Sequence, residues 1–209
     1  MKDFELSRIY ENGREFEDLM VGRVDINNPQ YRKEWLILRD KCANKGKTNN
    51  YVGFDDGVEL AKKFQPYDPT NPNKPFARDI RIELMDILQK NGLITFSDED
   101  QDRIKFYTLV DTGVDKMSGI DSILEFKSLS GKIYPVNFDL TINPYKVSKD
   151  ADVIVHTMAY PKNDQESSKE YIAQIKNIYG PKVFEFISMK MKLDEDKKNE
   201  AQQQKHVWN

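Results

Sequence analysis

One cysteine, Cys42, and two histidines, His156 and His206, leave this 209-residue chain short of several kinds of chemistry. A lone cysteine excludes an intrachain disulfide framework and fits a reducing compartment. Two histidines and no C-x-x-C pair exclude the usual zinc centres. The phosphate loop G-x-x-x-x-G-K-[ST], the dinucleotide fingerprint G-x-G-x-x-G and the nucleophile elbow G-x-S-x-G are also missing. Serine hydrolase, kinase and zinc-finger readings therefore lack their parts. No apolar run approaches the roughly 18 residues of a membrane span, and Met1-Lys2-Asp3-Phe4-Glu5 has no signal-peptide apolar core. The expectation is a cytoplasmic protein with no membrane partner.

What the chain has in quantity is charge. Charged residues make up 32% and hydrophobic ones 38%, as in a polar globular protein with enough residues for one ordinary domain and its extensions. The net charge of −3 argues against a nucleic-acid binder over the whole surface, but not against a local basic patch. Such a patch lies in residues 30–50, where Arg32, Lys33, Arg39, Lys41, Lys45 and Lys47 stand against Glu34 and Asp40, six minus two or +4. Tyr31, Trp35 and Tyr51 lie among them. The stretch reads either as a track for a phosphate backbone or as a solvated helix face followed by a loop.

Periodicity predicts helices over 30–43 and 58–64, and another over 78–91 with Ile80, Leu84, Ile87 and Leu88 as its apolar stripe and Glu83 at the stripe's edge. Strands are predicted over 103–110, 120–127, 133–142 and 151–158, then a helix over 165–179 stopped by Gly180-Pro181. Prolines at 66, 69, 72 and 75 recur every third residue, which favours polyproline II and a semi-rigid linker. The expected organisation is a mostly helical N-terminal accessory region (1–65), a Pro-rich linker (66–76), an α/β (α+β) core (77–192) and a polar tail (193–209). That tail has helical propensity but no apolar face, so it is expected to fray or be disordered unless a partner covers it.

The most informative stretch is the hairpin over 120–142. Tyr134, Val136, Phe138, Leu140 and Ile142 share one face of the second strand, while Asn137, Asp139 and Thr141 share the other. If Lys127 lies roughly opposite Lys132 across the turn Ser128–Gly131, Asp121 and Asp139 become cross-strand or diagonal neighbours within about 5–8 Å. Aspartate is disfavoured inside strands, and two buried carboxylates that close need a shared cation to stay ionised. The pair is thus a candidate Mg²⁺ or Mn²⁺ site, unless both are ordinary surface aspartates.

The pattern Gly119-Ile120-Asp121, a hydrophobic strand, a turn and Asp139-Leu140-Thr141-Ile142-Asn143-Pro144-Tyr145-Lys146 resembles the PD-(D/E)XK, or restriction-endonuclease-like, nuclease superfamily over roughly residues 77–180. The resemblance implies an αβββαβ core with a mixed sheet of about four to five strands flanked by helices. It implies that Asp121 and Asp139 bind the metal, aided by the Leu140 carbonyl, and that Glu83 on the first core helix is a further ligand. The family's lysine two residues after the second acid is Thr141 here, so the resemblance points to Lys146, displaced into the loop, as the group that orients water or neutralises charge. Thr141 could hydrogen-bond a water and Asn143 could fix the loop. The implied activity is Mg²⁺- or Mn²⁺-dependent hydrolysis of nucleic acid, DNA before RNA, with a homodimer as one assembly the family allows. The missing lysine at 141 equally suits a degenerate, non-cleaving module that binds nucleic acid or a partner protein. A second register, Glu125-Phe126-Lys127, matches the E-x-K pattern. With Asp121 it separates the acids by four residues along one strand, about 13 Å and too far to share one ion; with Asp111 or Asp115 the strand order would have to change.

Overall fold

Four strands form one mixed sheet in sequence order: β1 Ile104–Thr108, β2 Ser122–Lys127, β3 Ile133–Thr141 and β4 Val153–His156. The computed structural model describes residues 12–43, 52–95, 97–158 and 165–207. β2 runs antiparallel to both β1 and β3, and β4 lies parallel to β3. Eight helices surround the sheet among the described residues: α1 Gly13–Val21, α2 Pro29–Ala43, α3 Phe54–Lys63, α4 Pro75–Lys90, α5 Asp98–Gln101, α6 Gly113–Ser118, α7 Gln165–Gln174 and α8 Gly180–Val207. This is the α/β architecture with a helix-flanked mixed sheet that the element pattern predicts.

Alternation along the strands builds two cores. Ile104, Phe106, Leu124, Phe126, Val136, Phe138, Leu140, Val153 and Val155 face the larger one, under α1, α4 and the C-terminal helices. Ile123 faces the smaller one, with Val24, Tyr31, Val58, Leu60, Leu109, Val114 and Ile120 from the α2, α3 and α6 side. Phe76, in the first turn of α4, joins helix to sheet. Its ring meets Phe106, Phe138 and Tyr179 edge-on at 6.3, 5.7 and 5.9 Å between centroids.

Several expectations are corrected by this packing. Helix α1 belongs to the expected accessory region, yet its Phe16, Met20 and Val21 are buried in the same core as α4. The Pro-rich segment is not a free spacer. Tyr67 Oη donates to the Val21 carbonyl (2.8 Å), and the Pro69 carbonyl accepts the Phe106 N–H (2.9 Å). The outer edge of β1 is met further by Gln65, whose side-chain amide accepts the Thr108 N–H (2.8 Å) and donates to the Thr108 carbonyl (3.0 Å). Arg81 Nε donates to the Ile104 carbonyl (2.8 Å) on the same edge. Prolines without N–H groups suit this role, because only their carbonyls are needed.

The chain also departs from the αβββαβ order between β3 and β4, where residues 142–152 carry no helix. That stretch holds Pro144 and no apolar stripe, so a helix there would have nothing to bury. Gly180-Pro181 does not stop the last helix. A π turn, Ile175–Tyr179, with the Gly180 N–H on the Ile175 carbonyl, leads straight into α8. The wider turn relieves the clash a proline ring makes with the carbonyl four residues back. Beyond Leu193 the chain stays helical through Val207 instead of fraying, with Asp194 ion-paired to Lys132 of β3's approach. On α2, Leu36 is 46% exposed, while Tyr31 and Cys42 are the buried residues. Among the described residues no helix is long and apolar enough to cross a membrane.

Candidate functional site

The site begins at a turn. Thr112 caps α6 by accepting the Asp115 N–H, and Gly119 ends it in the left-handed region at φ 66°, its N–H on the Asp115 carbonyl (2.7 Å). Glycine takes that conformation without strain. The chain then enters β2, and the Asp121 N–H donates to the Phe138 carbonyl (2.8 Å). Since Ser122 pairs with Phe138, Asp121 stands directly opposite Asp139. Lys127 pairs with Ile133, one position beyond the expected Lys132, and this shift converts a near-diagonal pair into a facing one.

Both aspartates are buried, Asp121 at 3% exposure and Asp139 at 1%. Asp121 Oδ2 accepts the Leu140 N–H (2.5 Å). Asp139 Oδ1 accepts from Lys146 Nζ (2.6 Å), while Asp139 Oδ2 is buried with no hydrogen-bond partner among the described residues. The lysine returns from seven residues downstream because the intervening loop is braced. Thr141 Oγ1 accepts the Asn143 N–H (3.1 Å), Asn143 Oδ1 accepts the Tyr145 N–H (3.0 Å), and the Asn143 carbonyl accepts the Lys146 N–H (3.2 Å). Thr141 and Asn143 thus hold the loop, which gives Thr141 a positioning role.

Two further acids press on this pair. Asp115, on α6, lies near the Asp121 carboxyl, and its charge disfavours ionisation of Asp121. Burial pushes the Asp121 carboxyl up to about 9, helped by the charges of Glu17, Asp115 and Asp139, against the opposing Leu140 hydrogen bond. Burial also pushes Glu17, on α1, up to about 7; Asp115, Asp139 and Asp111 add to this and Lys146 opposes it. Asp115 is raised, again first by burial. Burial works against the Lys146 ammonium, but its bond to Asp139 and the charges of Asp139, Asp121 and Glu17 outweigh it, so its pKa rises. Asp111 stands at the margin in the left-handed region (φ 72°), paired with Arg14 at 2.6 Å.

The structure therefore brings Asp121, Asp139, Lys146 and Thr141 together, and does not bring Glu83 to them. Glu83 lies on the face of α4 toward α8, where a side chain at Gly180 would come within 2.5 Å of its Cγ. It is on the larger-core side of the sheet, whereas Asp121 and Asp139 point to the other side. Glu17 supplies the helical acid instead. Little in the sequence marks it: Phe16 and Met20 are the visible core positions, and only the path of α1 past the end of β3 brings its neighbour to the aspartates. Glu125 of the second register is held by Lys62 (2.7 Å) and lies opposite Lys105, four residues along β2 from Asp121.

The basic residues divide. Arg32 is braced on the Ile26 carbonyl (3.3 Å) and Asn27 Oδ1 (2.5 Å), and Arg39 pairs with its neighbour Asp40 (2.9 Å). Lys33 and Lys41 are exposed on α2, and Lys45 and Lys47 fall outside the described residues.

Asp121 and Asp139 offer oxygen donors only, one of them a buried oxygen without a partner, which suits a hard divalent cation better than a thiophilic metal. Among the described residues no group of three or more His, Cys, Asp and Glu side chains is placed to hold a metal ion. Mg²⁺ is commonly held by one or two carboxylates with water and substrate phosphate completing its shell, so two aspartates are a sufficient protein contribution. Compared with protein-family models, curated proteins and solved structures, the chain finds no match in any of the three.

Proposed function

We propose that this chain is a divalent-metal-dependent nuclease, hydrolysing phosphodiester bonds of nucleic acid, with DNA the first polymer to test. The observation that carries the reading is the Asp139 carboxylate. It is buried, facing Asp121 across two strands, with one oxygen on Lys146 and the other without a partner. For both carboxyls to ionise, two like charges buried that close need a cation between them. Asp121 and Asp139 would hold Mg²⁺ or Mn²⁺, which when bound supplies Lewis acidity toward a phosphate oxygen and toward water.

The protein's own groups do the rest. Glu17, its carboxyl held near neutrality, can carry a proton at Oε at working pH. Lys146 presents a fixed ammonium where negative charge grows on the phosphate, kept there by the Thr141–Asn143 brace. The α6 turn sets Asp115 near Asp121, whose carboxyl is held by the Leu140 N–H.

The test is cleavage of plasmid and oligonucleotide DNA with Mg²⁺ or Mn²⁺. Asp139→Ala is expected to lower the rate by about 100-fold or more, the scale on which removal of a transition-state contact acts. Equal rates for the two proteins would sink the assignment.

A second reading has its own observation. Lys146 already neutralises Asp139 through Oδ1, as in a degenerate module that binds nucleic acid or a partner protein without cleaving. Calorimetry separates the two, because the nuclease must take up Mg²⁺ or Mn²⁺ in a manner lost in Asp139→Ala, and the module need not.

A further inference from the structure

A groove of about 510 Å³ opens between α2 and α6 beside the acids. Its floor is flat and aromatic. Trp35 stacks on Tyr31 with centroids 6.3 Å apart and planes 11° apart, and Tyr31 is braced edge-on by Phe64 at 5.5 Å. The far edge of the indole lies against Gly113, where an added Cβ would fall 2.0 Å from the ring. Only glycine leaves room for it, so the first turn of α6 is shaped around Trp35.

The rim of the groove is basic. Arg32, Arg39 and Lys116 line it together with Asp111, which Arg14 already neutralises, and Arg39 is itself paired with Asp40. The partners that brace Arg32, a carbonyl and an amide, are neutral and leave its charge uncompensated. The inner end leads toward the acid pair: Asp111 lines the groove and its N–H donates to Asp115 Oδ2 (3.0 Å), the acid whose charge acts on Asp121.

We infer that this groove takes an unpaired stretch of a nucleic-acid strand, one base stacking on Trp35 and the flanking phosphates resting on Arg32, Arg39 and Lys116. The inference rests on the nuclease reading for where the strand goes next, and it specifies the substrate: a single strand or a frayed end. A flat aromatic platform can use only a base whose face is free, and in a duplex that face is covered by its neighbours. Arg32 and Lys116, with the Asp40-paired Arg39 beside them, set positive charge around an apolar floor, which matches a polyanion carrying flat apolar bases.

Trp35 and Trp208 are the two tryptophans of the chain, so a Trp208→Phe background makes Trp35 the sole fluorophore. Oligothymidylate, oligouridylate and a blunt duplex are titrated in EDTA, where no metal-dependent cleavage proceeds. Saturable quenching by either single strand, weaker with the duplex, is the expected result, and the two arms report which sugar is preferred. Arg39→Gln with Lys116→Gln, surface changes that leave the cores alone, should weaken binding and flatten its salt dependence. Trp35→Leu, which removes the fluorophore and is therefore read by anisotropy of a labelled oligothymidylate, should weaken binding about tenfold, as loss of one stacked base does. No quenching by either single strand, or equal quenching by duplex with the double variant unaffected, overturns the inference. Asp139→Ala must retain the quenching. Quenching without metal-dependent cleavage removes the nuclease reading and keeps the groove; cleavage without quenching does the reverse.

Discussion

Asp121 and Asp139 face each other in the sheet but stand in different company. Asp139 has a lysine, while Asp121 has a backbone N–H and a neighbouring carboxyl. The pH consequence falls on Asp121 and Glu17. Both carboxyls are raised in the folded chain, from ordinary values of 3.8 and 4.5 to about 9 and about 7. Between those values the folded state binds more protons at these two groups than the unfolded one, so their contribution to stability is greatest at low pH and is lost as pH rises. The window is about 4 to 9 for Asp121 and about 4.5 to 7 for Glu17, with an upper slope of about 1.4 kcal/mol per pH unit for each proton. Denaturant unfolding in EDTA at pH 5 and pH 8 should show wild type losing more stability than Asp121→Asn. Identical losses would mean that Asp121 is not a buried acid of this kind. The facing pair and Lys146 were legible in the sequence because alternation and distance from the turn are local properties. Glu17 and Asp115 were not, because they arrive from helices whose docking depends on the rest of the fold.

At the scale of elements, most helices and strands are where periodicity predicts them, with ends moved by a few residues. Two kinds of error have a physical cause. The Pro-rich segment reads as a linker because its composition lacks a core-facing pattern, yet its carbonyls serve the edge of β1. Gly180-Pro181 reads as a stop, yet a π turn carries the helix through it. Tertiary hydrogen bonds and a change of helical pitch decide these cases, and neither is written in residue spacing. Helix α4 meets its expectation most fully, starting three residues early so that Phe76 joins the stripe. Phe76→Ala removes the ring that meets Phe106, Phe138 and Tyr179. It should cost about 3–5 kcal/mol, read as a lower urea midpoint with an unchanged slope. A loss under about 1 kcal/mol would show that α4 is not seated on the sheet as described.

On the scale of the whole molecule, the sheet separates two cores, and the acid pair sits where the smaller core gives way to polar groups. A cation there would act on the entire folding equilibrium. At about 100 times its dissociation constant it adds about 2.7 kcal/mol, which for a chain of this size is a rise in Tm of roughly 5–10 °C. Because carboxylates must lose their protons to bind it, the rise should be larger at pH 8 than at pH 5.5. Thermal melts with Mn²⁺ and with EDTA at both pH values check this, and Asp139→Ala should abolish the difference. A rise that persists in the variant would place the cation elsewhere.

The clasp on β1 has a consequence for self-association. Exposed edge strands are templates on which further chains add, by fibre growth or strand exchange. Gln65 presents an amide oxygen and an amide N–H to Thr108 as a neighbouring peptide unit would, and Pro69 and Arg81 occupy the next positions along the edge. The sheet is therefore terminated on that side by the chain's own groups, and polymerisation through β1 is blocked as long as Gln65 stays in place.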